Sequence, residues 1–423
     1  MSWITRTLGD VCDDVRGTIR TGPFGSQLHE SDYLDEGIPV VMPKDIVGGK
    51  VSSLSIARIS ETDAHRLAQH RLSVGEIVYG RRGDIGRQAL ITHREAGWLC
   101  GTGCLRISLG NTILDPIYLH YYLSDADVVT GIANQAVGAT MPNLNTAILR
   151  SVPVTYPPLP VQRKIAAILS AYDDLIENNT RRIQILEEMA QTLYREWFVH
   201  FRFPGHEQIK MVESEMGLIP EKWRVTNIGT VVDYVARGVT PQYVAHSSRF
   251  IINQKANRGL LLDANQLKEL APSLKLPEDK LARFGDLLIN CLGEGTLGRV
   301  HFFTGPERVW AVDQHITICR ASDLGITNYL YWMLSSEDGQ AKIQSLKSGT
   351  TSMTMFNISS LRGFQFYCPN IELLTKFFNI CNPLWKSMCS LTKVNLNLCR
   401  TRDLLLPKLI SGEVDIAELD IAI

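Results

Sequence analysis

The chain has 423 residues, 45% apolar and 21% charged, enough for buried cores in two to four domains and with no need of a long disordered region. A formal net charge of −1 excludes the global basic field of a free-standing nucleic-acid binder, so any such site must be local or completed by a partner. The nine cysteines, Cys12, Cys100, Cys104, Cys291, Cys319, Cys368, Cys381, Cys389 and Cys399, include no C-x-x-C pair and read as reduced, mostly buried thiols rather than a metal site. The opening MSWITRTLGD lacks an apolar signal core, and no run reaches the ~18 apolar residues of a membrane span. The chain is therefore expected to be soluble and cytoplasmic.

In chain order, the first ~155 residues mix short β-branched runs, such as EIVYG and CLRISLG, with Gly and Asn turns, the signature of strands in an α/β or α+β domain. After YPPLP, the stretch VQRKIAAILSAYDDLIENNTRRIQILEEMAQTLYREWF runs about 38 residues without Pro or Gly, roughly 57 Å of helix at 1.5 Å per residue. Its apolar positions Ile165, Ile168, Tyr172, Leu175, Ile183, Leu186, Ala190, Leu193 and Trp197 step by threes and fours, with Asn179 as an interruption. A second mixed segment follows, with DLLIN and HITICR as strands. A second long helix then places Phe377, Ile380, Leu384, Met388, Leu391, Val394, Leu398 and Leu405 on its stripe.

The chain repeats itself at an offset of about 212 residues. TLGDVCDDVRG (7–17) matches NIGTVVDYVARG (227–238), and SVGEIVYGRRGDIGR (73–87) matches RFGDLLINCLGEGTLGR (283–299). TMPNLN (140–145) matches TMFNIS (354–359), and LRSVPVTYPPL (149–159) matches LRGFQFYCPNI (361–371). Two such helices in one chain are expected to pair as an antiparallel intramolecular coiled coil that holds two similar globular parts apart about a pseudo-twofold axis. Such a shape suits a bipartite target, and duplex DNA offers half-sites roughly 34 Å apart or multiples of that.

Three stretches are familiar. TGPFGSQLHESDYLDEGIPVVMPKDI (21–46), YPPLPVQRKIAAILSAYDDLIENN (156–179) and the ending LLLPKLISGEVDI (404–416) resemble the DNA-specificity subunit of type I restriction–modification systems. The second copy departs from that pattern, because CPNIELLTKFFNI lacks the P-P-L and Gln of PPLPVQRKI. The resemblance implies an α+β fold with two pseudo-twofold-related α/β target-recognition domains, separated by two long antiparallel helices. It implies target-recognition domains at 1–158 and 204–370 and spacer helices at 159–203 and 371–423. It also implies a non-catalytic, sequence-specific DNA-recognition subunit that reads an asymmetric bipartite site. The partners would be two methyltransferase subunits and two restriction–translocase subunits, which would carry S-adenosylmethionine, ATP and Mg, with no cofactor bound by this chain.

The residues themselves offer little chemistry. The only Pro-Pro pair opens a helix, so no adenine-methyltransferase motif is present, and no phosphate-binding P-loop occurs. PEDK (277–280) reads as a solvated turn. The glycines Gly293, Gly295 and Gly298 spell G-x-G-x-x-G, but RVHFF follows where a dinucleotide turn would open a helix. The matching turn keeps Gly83, Gly86 and Arg87 and has Arg81 in place of Gly293, so both turns read as glycine hairpins followed by Arg. Competing readings are an autonomous DNA-modifying enzyme, which the missing motifs oppose, and a coiled-coil scaffold, which two dissimilar heads oppose.

Candidate DNA contacts are residues with forks, amides or phosphate donors on the loops. In the first copy these are Arg20, Ser26, Gln27, Lys44, Arg81, Arg82 and Arg87. In the second they are Arg237, Thr240, Gln242, Tyr243, Lys255, Arg258, Asn290 and Arg299. GATMPNLN (138–145) and TTSMTMFNIS (350–359) read as turns with an Asn cap. For partner docking, the first long helix offers Arg181 and Arg182, together with Trp197 and Phe198 as exposed apolar residues near its end.

Overall fold

The computed structural model describes residues 3–136, 143–293, 295–347 and 355–421. Contacts divide the chain into two units, Met1–Ile176 with Asn397–Ile423, and Glu177–Leu396.

In the first unit, β-branched alternation builds an antiparallel sheet in the order Thr18–Thr21, Cys104–Ser108, Ile77–Gly80, Gln88–Leu90. Leu105 lies opposite Tyr79 and Ile107 opposite Ile77. These four side chains enter a core with the helices, while Val78 and Cys104 pack on the other face against Val41, Ile46 and Cys100. Successive side chains of a strand point to opposite faces, so a sheet covered on both sides needs apolar residues at both phases. A second sheet runs Leu99–Cys100, Ile38–Val41, Ala57–Ile59, Tyr33–Leu34, with the first pair parallel. Ile4–Thr7 pairs with Pro153–Tyr156, the strand that leads into the first long helix. Asp115 caps the helix Pro116–Ser124, whose Tyr118 and Tyr122 hydroxyls donate to the Thr155 and Pro153 carbonyls at 2.8 and 3.1 Å.

The second unit repeats this plan. Its central sheet has the order Tyr234–Arg237, Ile316–Arg320, Leu287–Asn290, Val300–Phe302. Phe250–Ile252 runs parallel to Ala311–Val312, and Arg224–Asn227 pairs with Gln365–Cys368. Asn145 and Asn357 each cap a short helix through the side-chain oxygen, as the repeated Asn turns lead one to expect; residues 137–142 and 348–354 of those stretches lie outside the described residues. PEDK is a single 3₁₀ turn, more packed than expected: Lys280 donates to the Tyr234 hydroxyl and the Arg237 carbonyl, both at 2.9 Å.

The first long helix spans Leu159–Tyr194 and continues as a π-helical turn through Arg195–Val199; the second spans Ile371–Ile410. Gln162 fixes the start of the first. It is fully buried, donates to the carbonyls of Ile113 and Pro157, and accepts from the Asp115 amide. The second copy lacks that Gln, and its helix start is held by Asn370, which accepts from the Leu373 amide at 2.9 Å, with Leu374 buried.

Within each unit the two helices run antiparallel. In the first, Asp173 forms a salt bridge with Arg402, and Lys164 donates to the Ala417 and Leu419 carbonyls at 2.7 Å. In the second, Asn179 donates to Asn395 at 2.9 Å, and the rings of Trp197 and Phe377 lie 6.0 Å apart. Buried and half-buried positions on the first helix alternate steps of three and four: Gln162, Ile165, Leu169, Tyr172, Ile176, Asn179, Ile183, Leu186, Ala190, Leu193 and Trp197. That is the 3.5-residue period of a coiled coil.

The stripe expected from sequence slips locally. Leu175 is 52% exposed, and Asn179 belongs to the seam rather than breaking it. Ile380 and Val394 are likewise exposed, and the second helix turns Cys381, Trp385, Thr392, Asn395, Cys399 and Arg402 inward. Polar groups that bond across the pair are invisible to an apolar count.

Eight of the nine cysteines are buried and Cys399 is half-buried, all with free thiols. Among the described residues no group of three or more His, Cys, Asp or Glu is placed to hold a metal, and no helix is long and apolar enough to cross a membrane.

Candidate nucleic-acid interface

The hairpin that carries the glycine motif joins two strands in both units. Ile77–Gly80 pairs with Gln88–Leu90, and Leu287–Asn290 with Val300–Phe302. No helix opens at the glycines, so the phosphate-binding geometry of a dinucleotide turn is not formed. Gly86 and Gly298 have φ of 108° and 84°. A Cβ on them would sit 2.5 Å from Val129 Cγ1 and 2.7 Å from Ile343 Cγ2. These glycines let each hairpin press onto the helices Ala126–Gln135 and Glu337–Ser345.

At one end of each central sheet several loops converge. In the first unit the Gly22 amide donates to Cys104 O, Gly101 to Val41 O, Arg81 to Gly103 O and Leu144 to Arg81 O, at 2.8–3.0 Å. In the second, Val239 donates to Val312 O, Gln314 to Val239 O, Cys291 to His315 O and Phe356 to Cys291 O, at 2.8–3.2 Å. Gly22 and Gly238 stand where two backbones cross: a Cβ would lie 2.1 Å from Gly101 O and 1.9 Å from Val312 O.

Most sequence-derived candidates lie on or beside these loops. Arg20, Ser26, Lys44, Arg82 and Arg87 are exposed in the first unit, with Arg87 paired to Asp84 at 3.0 Å. Gln27 accepts from the Phe24 amide within its own turn. Arg81 is half-buried, and its Nε donates to Asn143 Oδ1 and Leu144 O at 3.0 and 2.9 Å; it holds the loops together. In the second unit Thr240, Gln242, Tyr243, Lys255, Arg258 and Arg299 are exposed, and Arg299 donates to Gly295 O. Arg237 is half-buried and donates to Phe356 O at 3.1 Å.

Asn290 requires correction. It is fully buried, accepting from Asn257 Nδ2 at 2.8 Å, so no base edge reaches it in this conformation. Trp197 and Phe198 also depart from expectation. They are 6% and 3% exposed, and the Phe198 ring lies 4.8 Å from both Tyr329 and Phe377. They are core aromatics, not a docking surface. Arg181 and Arg182 are exposed.

The structure adds a group that sequence reasoning passed over: Asp313, Gln314 and His315, the turn between Ala311–Val312 and Ile316–Arg320. Asp313 is 2% exposed; its Oδ1 accepts from the His315 amide and lies 2.8 Å from His315 Nδ1, and its Oδ2 accepts from the Tyr243 hydroxyl at 3.2 Å. Thr240 Oγ1 donates to Gln314 Oε1 at 2.8 Å. No motif marks these three residues, because their partners come from two other loops.

Elsewhere, burial depresses two histidines: His120 and His301 are both pushed down to about 4. Burial raises the Asp286 carboxyl despite the opposing Arg320, which it meets at 2.7 and 2.8 Å. These groups sit in the cores, not on the converging loops.

Residues 2–188 match the family model of the type I restriction modification DNA specificity domain. The MjaIX specificity subunit of Methanocaldococcus jannaschii is 25% identical over 92% of this chain and 89% of its own length. Over most of its length the chain is thus similar to the specificity subunits of type I restriction–modification systems. The HindI specificity subunit of Haemophilus influenzae is 22% identical over 88% of this chain and 93% of its own. The fold is that of the specificity subunit crystallised from M. genitalium, with a TM-score of 0.62 at 16% identity over 97% and 96% of the two chains.

Proposed function

We propose that this chain is a specificity subunit that reads a bipartite, asymmetric DNA sequence, one half per unit, through the loops at the end of each central sheet. The observation that carries the reading is the recurrence of one backbone arrangement with different side chains. Each unit has the same strand order, the same glycine crossing and the same hairpin pressed on a short helix, yet Arg81, Gly101 and Thr102 in the first stand where the second has Cys291, Asp313 and Gln314. A constant frame with changed side chains yields two readers of different sequence, since base edges are discriminated by individual donors and acceptors.

The chain supplies recognition, and chemistry belongs to its partners. In this reading two methyltransferase subunits bring S-adenosylmethionine, and two restriction–translocase subunits bring ATP and Mg. With a net charge of −1, the free chain binds DNA weakly, and the partners complete the positive field. Exposed Arg181 and Arg182 on the first long helix belong to the surface offered to a methyltransferase subunit.

The test is to purify the chain with and without a methyltransferase subunit, select from random duplexes, and sequence the retained DNA. A split motif with a constant gap is expected from the complex. Methylation by the chain alone would make it an enzyme in its own right, and no enrichment in either preparation would leave only a scaffold.

A further inference from the structure

We propose that Gln314 is a base-reading residue of the second unit, specific for adenine, and that Thr240 and Asp313 hold it in reading position. The assignment rests on the DNA-reading function proposed above.

The turn 313–315 is clamped from three sides by backbone bonds: Asp313 N to Ile252 O at 3.0 Å, Gln314 N to Val239 O at 2.9 Å, and Cys291 N to His315 O at 2.9 Å. From within, the buried Asp313 carboxylate accepts from the His315 amide and the Tyr243 hydroxyl and lies beside the His315 ring. Charge-assisted bonds of this kind are the stronger class, and they fix the turn before any ligand arrives.

On that rigid turn Gln314 is half-buried, and its Oε1 accepts the Thr240 hydroxyl at 2.8 Å. The bond orients the amide and leaves a second lone pair on Oε1. Among the described residues, Nε2 has no partner. A side-by-side donor and acceptor matches the N7 acceptor and N6 donor that adenine shows in the major groove. Because the rotamer is already restricted, less side-chain entropy is lost on binding.

The first unit supplies the comparison. There the equivalent turn is Gly101, Thr102 and Gly103, held by the same clamps: Gly101 N to Val41 O at 2.9 Å and Arg81 N to Gly103 O at 2.8 Å. A Cβ at Gly101 would lie 2.6 Å from Val41 O, so no carboxylate is accommodated without a shift. The backbone is shared and the reading amide is not. The effect of Gln314 is therefore confined to one half-site.

The experiment uses the full chain co-purified with its methyltransferase subunit, random duplexes, and sequencing of the retained DNA. Wild type gives a split motif with an A·T pair favoured by roughly tenfold or more at one position. Gln314→Ala brings that position to within about twofold of the other bases and leaves the other half-site untouched. The near-isosteric Gln314→Glu, which replaces the amide donor with an acceptor, moves the preference away from adenine towards cytosine. Thr240→Val weakens the same position less. The proposal is overturned if Gln314→Ala leaves the motif unchanged, weakens all sequences alike, or alters both half-sites. A wild-type complex with no split motif would instead sink the function on which the assignment rests.

Discussion

Asp173 and Arg402 stand on opposite long helices and form a salt bridge in the seam of the first unit, where the Tyr121 hydroxyl also donates to Asp173 at 2.5 Å. At the offset of the repeat, the second unit carries Trp385 and Ala190 at these positions, both buried. The same helix pairing is thus polar in one unit and aromatic in the other. Arg402→Ala removes the guanidinium and leaves a partly buried carboxylate with only the tyrosine. Thermal unfolding is expected to shift by about 1–3 kcal/mol of stability. The control Arg400→Ala, at an exposed position of the same helix, should change it by under about 0.5 kcal/mol.

A second buried pair gives a pH signature. Asp286 is fully buried beside Arg320, and burial already lifts its carboxyl. Arg320→Ala should cost roughly 3–5 kcal/mol near neutral pH, because the remaining charge is uncompensated. Without the guanidinium the folded-state value rises further. A raised carboxyl holds its proton in the folded state over a window in which the unfolded chain has released it, so stability is lost as pH rises through that window. Denaturant midpoints of the variant should therefore fall between pH 5 and pH 8 more steeply than those of wild type, and parallel curves would count against this account.

The histidines act in the opposite direction. His120 and His301 titrate at about 4 when folded, against an ordinary value near 6.5. Between these values the unfolded chain binds protons that the folded chain refuses, so stability present above about pH 6.5 is lost as pH falls towards 4. Each contributes roughly 2–3 kcal/mol to that loss. His301→Gln should flatten the acid limb of the stability curve by about one histidine's share, measured by urea unfolding at pH 7.5 and pH 5.

Exposed cations and the buried amide should separate cleanly in DNA binding. Alanine at Arg82 or Lys44 is expected to weaken binding of the partnered chain and to lower its salt slope by about one per lost phosphate contact. Asn290→Ala should instead reduce stability by about 1–3 kcal/mol, because Asn257 loses its buried acceptor, with base preference unchanged. A salt titration by fluorescence anisotropy, beside a melting curve, distinguishes the two.

The duplication was legible because paired motifs at a fixed offset mark paired elements. EIVYG and DLLIN became equivalent strands of the two central sheets, and the two Asn turns became equivalent helix caps. The hairpin reading of GEGTLGR followed from the β-branched residues after it. The exact seam was less legible. Asn179, Asn395 and Arg402 face inward because each finds a partner across the helix pair, and hydropathy assigns no inward direction to such residues. Trp197 and Phe198 looked like surface aromatics at a helix end, yet a π-helical turn and four aromatic neighbours, Tyr194, Trp223, Tyr329 and Phe377, enclose them.

The sequence by itself determined the repeat, the two long helices and the family resemblance, because each is written in local periodicity or contiguous motif. Only the tertiary structure decided which polar residues are available. Asn290 and Gln314 are both amides in the second unit, yet one is sealed beside Asn257 and the other is held half-open by Thr240. That difference arises from loops distant in sequence meeting at one sheet end, where burial and hydrogen bonding set whether an amide supports the fold or faces a ligand.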